Sequence, residues 1–300
     1  MKQRNRPKQA DRAGAPAVPT PGLAALAPPV SATPGPLRYG LHDADGHLLL
    51  ASDPPRGARI VEAIGDVVTA DHIAVIVPGN GHHRGNYFSE RGPVGPRVRG
   101  QLLLRTMQAL DPNSRVAVVV WVGYHAPSGL AAAAANSPAR DGAADLARLT
   151  HYLPRSAQVT LIGHSYGSTV VGLALAAAHA TDAVALGSPG MGVWRRDQLG
   201  SGTTLWAAQA DSDWIRFFPR VRLGRLGLGR SPLHPELNAR RFETGDISGH
   251  CAYYAEGSES LRNVARIALG RYDDVTRPGV GAFAPHHLPQ RSLRHLEVAA

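Results

Sequence analysis

Five short apolar runs, rich in β-branched residues, recur along the middle of the chain with polar turns between them. They cover residues 72–77, 116–122, 159–162, 183–186 and 203–208, and each has the length and composition of a buried strand. Segments with apolar residues at helical spacing lie between most of them, at residues 97–110, 139–153 and 169–177. Strands that alternate with helices predict an α/β fold with a mostly parallel central sheet and helices on both faces.

Both ends of the chain lack this periodicity. Residues 1–36 are rich in Pro, Ala and basic side chains and are expected to form a disordered tail; residues 272–300 are expected to form a flexible C-terminal tail. Residues 37–52 predict an antiparallel N-terminal hairpin, and residues 258–269 predict a last helix that Ser258 caps and Gly270 ends. The sequence therefore predicts one domain, residues 37–271.

Composition narrows the class of protein. A single cysteine, Cys251, allows neither an internal disulfide framework nor a thiolate metal cluster, and no metal or other cofactor is expected. No apolar run approaches the roughly 18 residues of a membrane span. We expect a cytoplasmic location; secretion is the less favoured alternative, because Pro28 and Pro29 interrupt the apolar stretch that follows the basic start.

The net charge of +9 is uneven along the chain. Basic side chains crowd the N-terminal tail and the segment 216–230, which carries Arg216, Arg220, Arg222, Arg225 and Arg230. Such runs are most often solvated, and here they could at most make a weak contact with an anionic surface. No nucleic-acid partner is expected.

The candidate chemistry centres on the pentapeptide Gly163-His164-Ser165-Tyr166-Gly167. It follows an apolar run and precedes a helical segment, which is the context that a nucleophile elbow requires. The pentapeptide alone is weak evidence, because it should arise by chance roughly 0.2 times in a chain of this length and composition. The flanking strand and helix favour Ser165 as a nucleophile over an ordinary capping serine.

A serine hydroxyl attacks an ester only with a base in hydrogen-bond reach and an acid that orients that base. Hydrolases built on such sheets supply these groups in the chain order Ser, Asp, His. Here Ser165, Asp213 and His250 follow in that order, although His250 could instead be a capping or core histidine. The alternatives for the acid are Asp211 and, less favoured, Glu243 and Asp246.

An oxyanion hole needs two preorganised N–H donors. The backbone of Tyr166 is one candidate, and the turn after the run 72–77 supplies the other, Asn80 or next to it Gly81; an ordinary β-turn is the alternative. Further side chains near strand ends are candidates for substrate contact, namely His164, Tyr124 and His125. Cys251 shares the loop of the candidate base and is interpreted as a packing residue.

Six parts of the chain, taken in order, resemble the α/β-hydrolases, and more narrowly a bacterial family catalogued as domain of unknown function ten-twenty-three. They are residues 70–79, 120–124, 163–168, 186–190, 210–215, and 249–254 with 257–263. The resemblance implies a serine-hydrolase fold and triad, with Asp213 as the acid, but no substrate. Two features depart from the family: residues 227–229 read Gly-Leu-Gly where a Gly-His-Gly segment is frequent, and Asn80 stands in the turn after the first run.

These features together predict a cofactor-independent serine hydrolase that cleaves carboxylic esters through an acyl-enzyme intermediate. The expected substrate is a small-molecule or lipid-like ester. Two alternatives remain open: an acyltransferase that uses the same triad with another acceptor, and a non-catalytic binding protein on the same fold.

Overall fold

The computed structural model describes residues 35–54, 57–89, 95–129, 133–218 and 227–279. Internal contacts divide the chain into two units, Met1–Gly35 and Pro36–Ala300, and the fold described below belongs to the second. Residues 1–34 of the predicted N-terminal tail, residues 280–300 of the predicted C-terminal tail, and the arginines at 220, 222 and 225 lie outside the described residues.

The strands of the described residues form one nine-stranded sheet with the order β1-β2-β3-β5-β4-β6-β7-β8-β9. They are β1 (His42–Ala44), β2 (His47–Ser52), β3 (Ile60–Ile64), β4 (His72–Val77), β5 (Val116–Val122), β6 (Gln158–His164), β7 (Asp182–Leu186), β8 (Thr204–Ala208) and β9 (Arg240–Arg241). Strands β1, β2, β3 and β5 pair in antiparallel fashion, and all pairs from β5 to β9 are parallel.

Helices cover both faces of this sheet. They are α1 (Arg84–Tyr87), α2 (Pro96–Leu110), α3 (Ser137–Tyr152), α4 (Tyr166–Ala174) and α5 (Glu259–Ala268). Successive side chains of a strand point to opposite faces, so the apolar residues of β5 divide between two cores. Val119 packs in the core under α3 and α4, whereas Val118 packs in the core under α2 and α5. The mostly parallel sheet, the helices on both faces and the N-terminal antiparallel strands confirm the predicted fold class.

Local sequence explains where several elements begin and end. The last helix follows Ser258, whose hydroxyl accepts a hydrogen bond of 3.1 Å from the N–H of Leu261, and it stops before Gly270, which has φ +71°. The hairpin turns at Asp45 and Gly46, both with positive φ, but its first strand is only three residues long.

Three short features differ from the predictions. The four-residue helix α1 and the two-residue strand β9 were not predicted, because neither is long enough to show a period. The third lies where the C-terminal tail is predicted to begin, at residue 272: Tyr272 donates a hydrogen bond of 2.6 Å to Asp182, and Val275 is buried.

The parallel arrangement brings several strand ends to one edge of the sheet. The carboxyl ends of β4, β5, β6, β7 and β8 lie there, because these strands run in the same direction as neighbours. Each is followed by a turn or loop that carries polar residues, and the candidate site is built from these segments.

Candidate active site

Ser165 occupies a strained turn between β6 and α4. Its backbone has φ 53° and ψ −130°, a conformation that residues with a side chain rarely adopt. The N–H of Ser165 donates a hydrogen bond of 2.9 Å to the carbonyl of Leu186 on β7, which anchors the turn to the sheet. Backbone strain of this kind costs on the order of 1–3 kcal/mol and persists at functional sites where the surrounding structure enforces it.

Glycines on both sides of Ser165 permit this turn. A Cβ atom on Gly163 would lie 2.4 Å from the Cα of Ser168, and one on Gly167 would lie 2.1 Å from the carbonyl oxygen of Val77. Both neighbours are backbone atoms, which cannot swing away as the end of a side chain can. The strand and the helix therefore approach closely enough to hold Ser165 only because both positions lack a side chain.

Asp213 and His250 form a direct pair. His250 Nδ1 lies 2.9 Å from Asp213 Oδ1 and 3.0 Å from Oδ2. Two further donors reach the carboxylate: Tyr253 Oη to Oδ2 at 2.6 Å and the N–H of Ile215 to Oδ1 at 2.9 Å. Burial by itself would raise the pKa of Asp213, but these hydrogen bonds outweigh it and hold that pKa below its ordinary value. Asp213 is therefore an ionised acceptor for a proton on Nδ1.

The loop of His250 is fixed on two sides. The N–H of Gly249 donates to Ser212 Oγ at 3.0 Å, which ties this loop to the turn that carries Asp213. His164 Nε2 lies 2.7 Å from the carbonyl oxygen of His250 and must be its donor. The Trp214 ring packs 5.0 Å from the imidazole, centroid to centroid. Nδ1 is thus directed at Asp213, which leaves Nε2 for another partner.

The other acidic candidates lie elsewhere. Asp211 is exposed, and its backbone carbonyl, not its carboxylate, accepts a hydrogen bond of 2.7 Å from Arg216. Glu243 and Asp246 line a separate cavity. Among the carboxylates considered from the sequence, Asp213 is the one that the fold places against His250.

Ser165 and His250 line the same cavity, whose volume is about 220 Å³. Apolar side chains make up much of its wall: Ala133, Tyr166, Pro189, Trp214, Ile215, Phe218 and Leu228. No hydrogen bond joins the Ser165 hydroxyl to His250 in the part of the chain that the structure describes. Contacts between a nucleophile and its base are often long without substrate and tighten in the complex.

The turn after β4 borders Ser165. A Cβ atom on Gly79 would lie 2.8 Å from the Cβ of Ser165, so the backbone of this turn passes directly beside the serine. The backbone N–H groups of Tyr166 and Asn80 have no acceptor among the described residues. Gly81 is the other oxyanion donor predicted in this turn, and here the prediction needs correction. Its N–H already donates a hydrogen bond of 3.1 Å to the carbonyl of Pro127 and is not available to an oxyanion.

Two of the three candidate substrate contacts lie away from the cavity wall. Tyr124 is buried between the rings of Trp121 and Tyr166, with centroid distances of 6.0 and 6.1 Å, and its hydroxyl donates to the carbonyl of Pro78 at 2.8 Å. Its hydroxyl thus supports the turn after β4 from the interior. His125 is exposed and does not line the cavity. Neither Tyr124 nor His125 is among the residues that line the cavity of Ser165.

His164, the third candidate, does line the cavity. Its Nε2 donates to the backbone of His250, so Nδ1 is unprotonated and faces the guanidinium of Arg99, with Nη1 at 3.4 Å. Burial, together with the charge of Arg99, lowers the pKa of His164 well below its ordinary value. His164 is therefore a neutral ring that positions the loop of His250.

His82 is a cavity residue that sequence reasoning missed. It follows Asn80 and Gly81 and lines the same wall, and its buried Nδ1 has no hydrogen-bond partner. Burial, together with the charge of Arg99 and the neighbouring His83, lowers the pKa of His82 to about 4. The signal in the sequence was its place two residues after Asn80, but nothing local indicated that the side chain turns inward.

Two further properties concern metals and membranes. The described residues hold no group of three or more His, Cys, Asp or Glu side chains arranged to bind a metal ion. Within the same ranges, no helix has both the length and the apolar character needed to span a bilayer.

The fold and the arrangement at its strand ends are those of an α/β-hydrolase. A sequence model of the family described as alpha/beta hydrolase matches residues 53–223, more than half of the chain. The chain belongs to this family.

Relatives with curated sequences are found in mycobacteria. An uncharacterized protein of Mycobacterium tuberculosis is 34% identical over 267 residues, which cover 77% of this chain and 40% of that protein. An uncharacterized protein of Mycobacterium bovis is 32% identical over 160 residues, covering 51% of this chain and 60% of its own length. The chain thus spans about two fifths of the length of the first of these relatives.

Solved structures also overlay on the chain. An α/β serine hydrolase without a lid from Xanthomonas campestris is 16% identical and covers 78% of this chain and 97% of its own, with a TM-score of 0.42. Est1E from Butyrivibrio proteoclasticus is 12% identical and covers 80% of this chain and 100% of its own, with a TM-score of 0.43.

Proposed function

We propose that this protein is a serine hydrolase that cleaves carboxylic esters, with Ser165 as nucleophile, His250 as general base and Asp213 as the acid. One observation carries the proposal: a serine on a strained elbow and a histidine paired to a buried carboxylate line a single cavity. An elbow alone could be a capping turn, and a His–Asp pair alone could be structural. Their meeting in one cavity favours nucleophilic catalysis.

The proposed reaction has two halves. His250 Nε2 accepts the Ser165 proton while Oγ attacks the ester carbonyl, and the backbone N–H groups of Tyr166 and Asn80 donate to the oxyanion. The imidazolium then gives its proton to the departing alcohol, which leaves an acyl group on Ser165. Water, deprotonated by His250, hydrolyses the acyl-enzyme and restores the serine. Asp213 keeps Nδ1 protonated and stabilises the imidazolium in both halves.

The cavity supports a substrate with a short acyl group. A dry cavity of about 150 Å³ accepts benzene, so a volume of about 220 Å³ suits an acyl group of modest size. Its apolar wall favours a hydrocarbon over a charged acyl group. We therefore propose esters of acyl chains up to roughly eight carbons as the substrates of this cavity.

Other parts of the proposal rest on sequence alone. The six matching segments support membership of the narrower family catalogued as domain of unknown function ten-twenty-three, and the cytoplasmic location stays a prediction. Fractionation of cells that produce the protein, followed by activity labelling, tests the location. Activity confined to the secreted fraction would contradict it.

A panel of p-nitrophenyl esters of graded acyl length tests the function. The wild-type protein should hydrolyse short esters, lose activity with long ones, and be labelled by a fluorophosphonate probe. The Ser165→Ala variant should lose labelling and on the order of 10⁶ in kcat. Ser201→Ala, at an exposed serine, is the matched control and should behave as wild type.

Two results would overturn the proposal. One is a folded Ser165→Ala variant that retains more than a tenth of wild-type turnover. The other is a wild-type protein that neither hydrolyses any ester of the panel nor reacts with the probe. Product analysis with an added alcohol distinguishes the acyltransferase alternative, since that enzyme would form a new ester in preference to the free acid.

A further inference from the structure

A second cavity lies beside the turn that carries Asp213. Its volume is about 410 Å³, and it shares no lining residue with the cavity of Ser165. Its wall is rich in hydrogen-bond donors, contributed by Arg216, Arg230, Arg241, His234, Gln209 and Ser231. We call it the arginine cavity.

Two guanidinium groups of this cavity donate hydrogen bonds to backbone carbonyls. Arg216 Nη1 donates to the backbone carbonyl of Asp211 at 2.7 Å, and Arg241 Nη2 donates to that of Leu233 at 2.6 Å. Arg230 faces Glu236, but with a separation of 3.6 Å between Nη1 and Oε2. Backbone carbonyls orient a guanidinium without cancelling its charge, so Arg216 remains able to attract an anion.

Acidic groups near the arginine cavity do not offset this charge. Asp211 lines the wall, and Glu236 lies 3.6 Å from Arg230. Two carboxylates against three guanidinium groups leave an excess of positive charge. Glu243 and Asp246 do not line this wall; they line an adjoining cavity that shares Arg241 and Asp211 with it, so the excess charge is clearest at Arg216 and Arg230.

Three neutral side chains add donors to the same wall. The Nε2 group of Gln209 is buried and has no hydrogen-bond partner. His234 Nδ1 accepts a hydrogen bond of 3.1 Å from the N–H of Glu236, which puts the proton of a neutral ring on Nε2. Ser231 Oγ accepts a bond of 3.3 Å from the N–H of Leu233, so its hydroxyl proton is free to be donated. A buried amide donor without an acceptor is costly unless a ligand supplies one.

We propose that the arginine cavity binds a phosphate-type anion. A tetrahedral anion with several acceptor oxygens satisfies donors that surround it, whereas a planar carboxylate is saturated by one or two guanidinium groups. The excess positive charge matches a phosphate, and the volume leaves room for the organic group of a phosphoester. This site is separate from the Ser165 cavity, and phosphate binding to it does not depend on the ester hydrolysis proposed above; only the choice between two sources of the phosphate rests on that function.

One turn of the chain, residues 211–216, contributes residues to the walls of both cavities. Asp211 and Arg216 line the arginine cavity, Trp214 and Ile215 line the Ser165 cavity, and Asp213 lies between them in the chain. An anion bound to Arg216 therefore contacts the same turn that holds the acid against His250.

Titration of the full-length protein with inorganic phosphate, at constant ionic strength set with KCl, tests the site calorimetrically. We expect saturable binding that weakens about tenfold in Arg216→Gln and in Arg241→Gln, because each removes a charged donor. Arg155→Gln, which removes one exposed charge away from the cavity, should bind as wild type. Ser165→Ala should also bind as wild type, which separates this site from the proposed catalysis.

Two kinds of ester distinguish the source of the phosphate. If the group belongs to a substrate, inorganic phosphate should raise the KM of an ester with a phosphorylated alcohol and leave a neutral ester unaffected. If free phosphate is an effector, it should change the kinetics of the neutral ester as well.

Two results would remove the arginine cavity as a phosphate site. One is the absence of saturable binding up to about 20 mM phosphate, well above the millimolar Kd of a weak specific site. The other is an equal loss of affinity in Arg155→Gln, which would indicate attraction to the net charge of the protein alone. Circular dichroism of each variant shows whether a loss of affinity reflects misfolding. The Gln209→Leu variant, which removes the unpartnered amide, tests the same wall without changing its charge.

Discussion

The carboxylate of Asp213 is fully buried, and an anion in such a place requires hydrogen bonds to replace its lost hydration. Three donors do so: the His250 ring, the Tyr253 hydroxyl and the N–H of Ile215. The same three contacts also fix the direction of the carboxylate. Asp213 therefore holds one tautomer and one orientation of His250, which an exposed acid such as Asp211 could not do.

Replacement of the two aspartates separates their roles at the residue scale. Asp213→Asn should lower kcat by roughly 10³–10⁴ while the protein stays folded, because an amide favours the wrong histidine tautomer. Asp211→Asn should lower kcat less than about tenfold, because its side chain does not touch His250. Steady-state kinetics on one p-nitrophenyl ester, with circular dichroism of both variants, provide the measurement. The reverse ranking would show that the acid has been wrongly assigned.

The strand β6, the elbow and the helix α4 act as one element. The conformation of Ser165 is unfavourable by itself and is maintained by close contact between β4, β6 and α4. Gly167 meets the carbonyl oxygens of Val77 and Pro78 at the end of β4, which also begins the turn next to Ser165. A change in this packing would therefore affect the serine and the neighbouring turn together.

A single methyl group should be enough to disturb this element. Gly167→Ala places a Cβ against backbone atoms and should lower the free energy of unfolding by at least about 2 kcal/mol, with loss of probe labelling. Gly40→Ala is the control, since a Cβ there meets nothing within 4 Å, and should change stability by less than about 0.5 kcal/mol. Urea unfolding measures both. A fully stable and active Gly167→Ala protein would contradict the close approach described.

At the scale of the whole molecule, three segments bring basic side chains together near the Ser165 cavity. They are Arg99 of α2, His164 of β6 and His82 of the turn after β4. Arg99 on α2 is fully buried, and burial of the rings, together with its charge, lowers the pKa of both His82 and His164. Both histidines are therefore neutral in the folded protein at pH values where an unfolded chain would protonate them. This difference in proton uptake makes stability depend on pH.

Stability should fall as the pH drops from about 6.5 towards 4. Over this window the unfolded chain binds a proton at His82 that the folded protein, with a pKa of about 4, does not bind. Between pH 7 and 5 this difference costs about 2 kcal/mol of unfolding free energy for His82 alone. His82→Gln should lose correspondingly less stability over that range in urea unfolding, whereas His125→Gln, at an exposed site, should follow the wild type. Parallel curves for His82→Gln and wild type would show that His82 is not buried as described.

Patterns that repeat within a few residues were predictable. The bounds of β4 and β5 agree with their apolar runs, and α2 begins one residue earlier than predicted. Shorter elements such as α1 and β9 could not be predicted, because they contain too few residues to show a period. Turn chemistry also gave partial information: it indicated that the turn after β4 borders the site but not that the Gly81 N–H is already bonded to Pro127.

The sequence by itself predicted strand β6, the glycine-flanked turn at Ser165 and helix α4. Each of these depends on residues that are neighbours in the chain. Tertiary structure decided which carboxylate meets His250, that Tyr124 supports a turn from the interior, and that His82 faces the cavity. Asp213 and His250 are 37 residues apart, yet their bond requires positioning to within a few tenths of an ångström. Such precision comes from the packing of β7, β8 and the loops beyond them, and no local pattern encodes it.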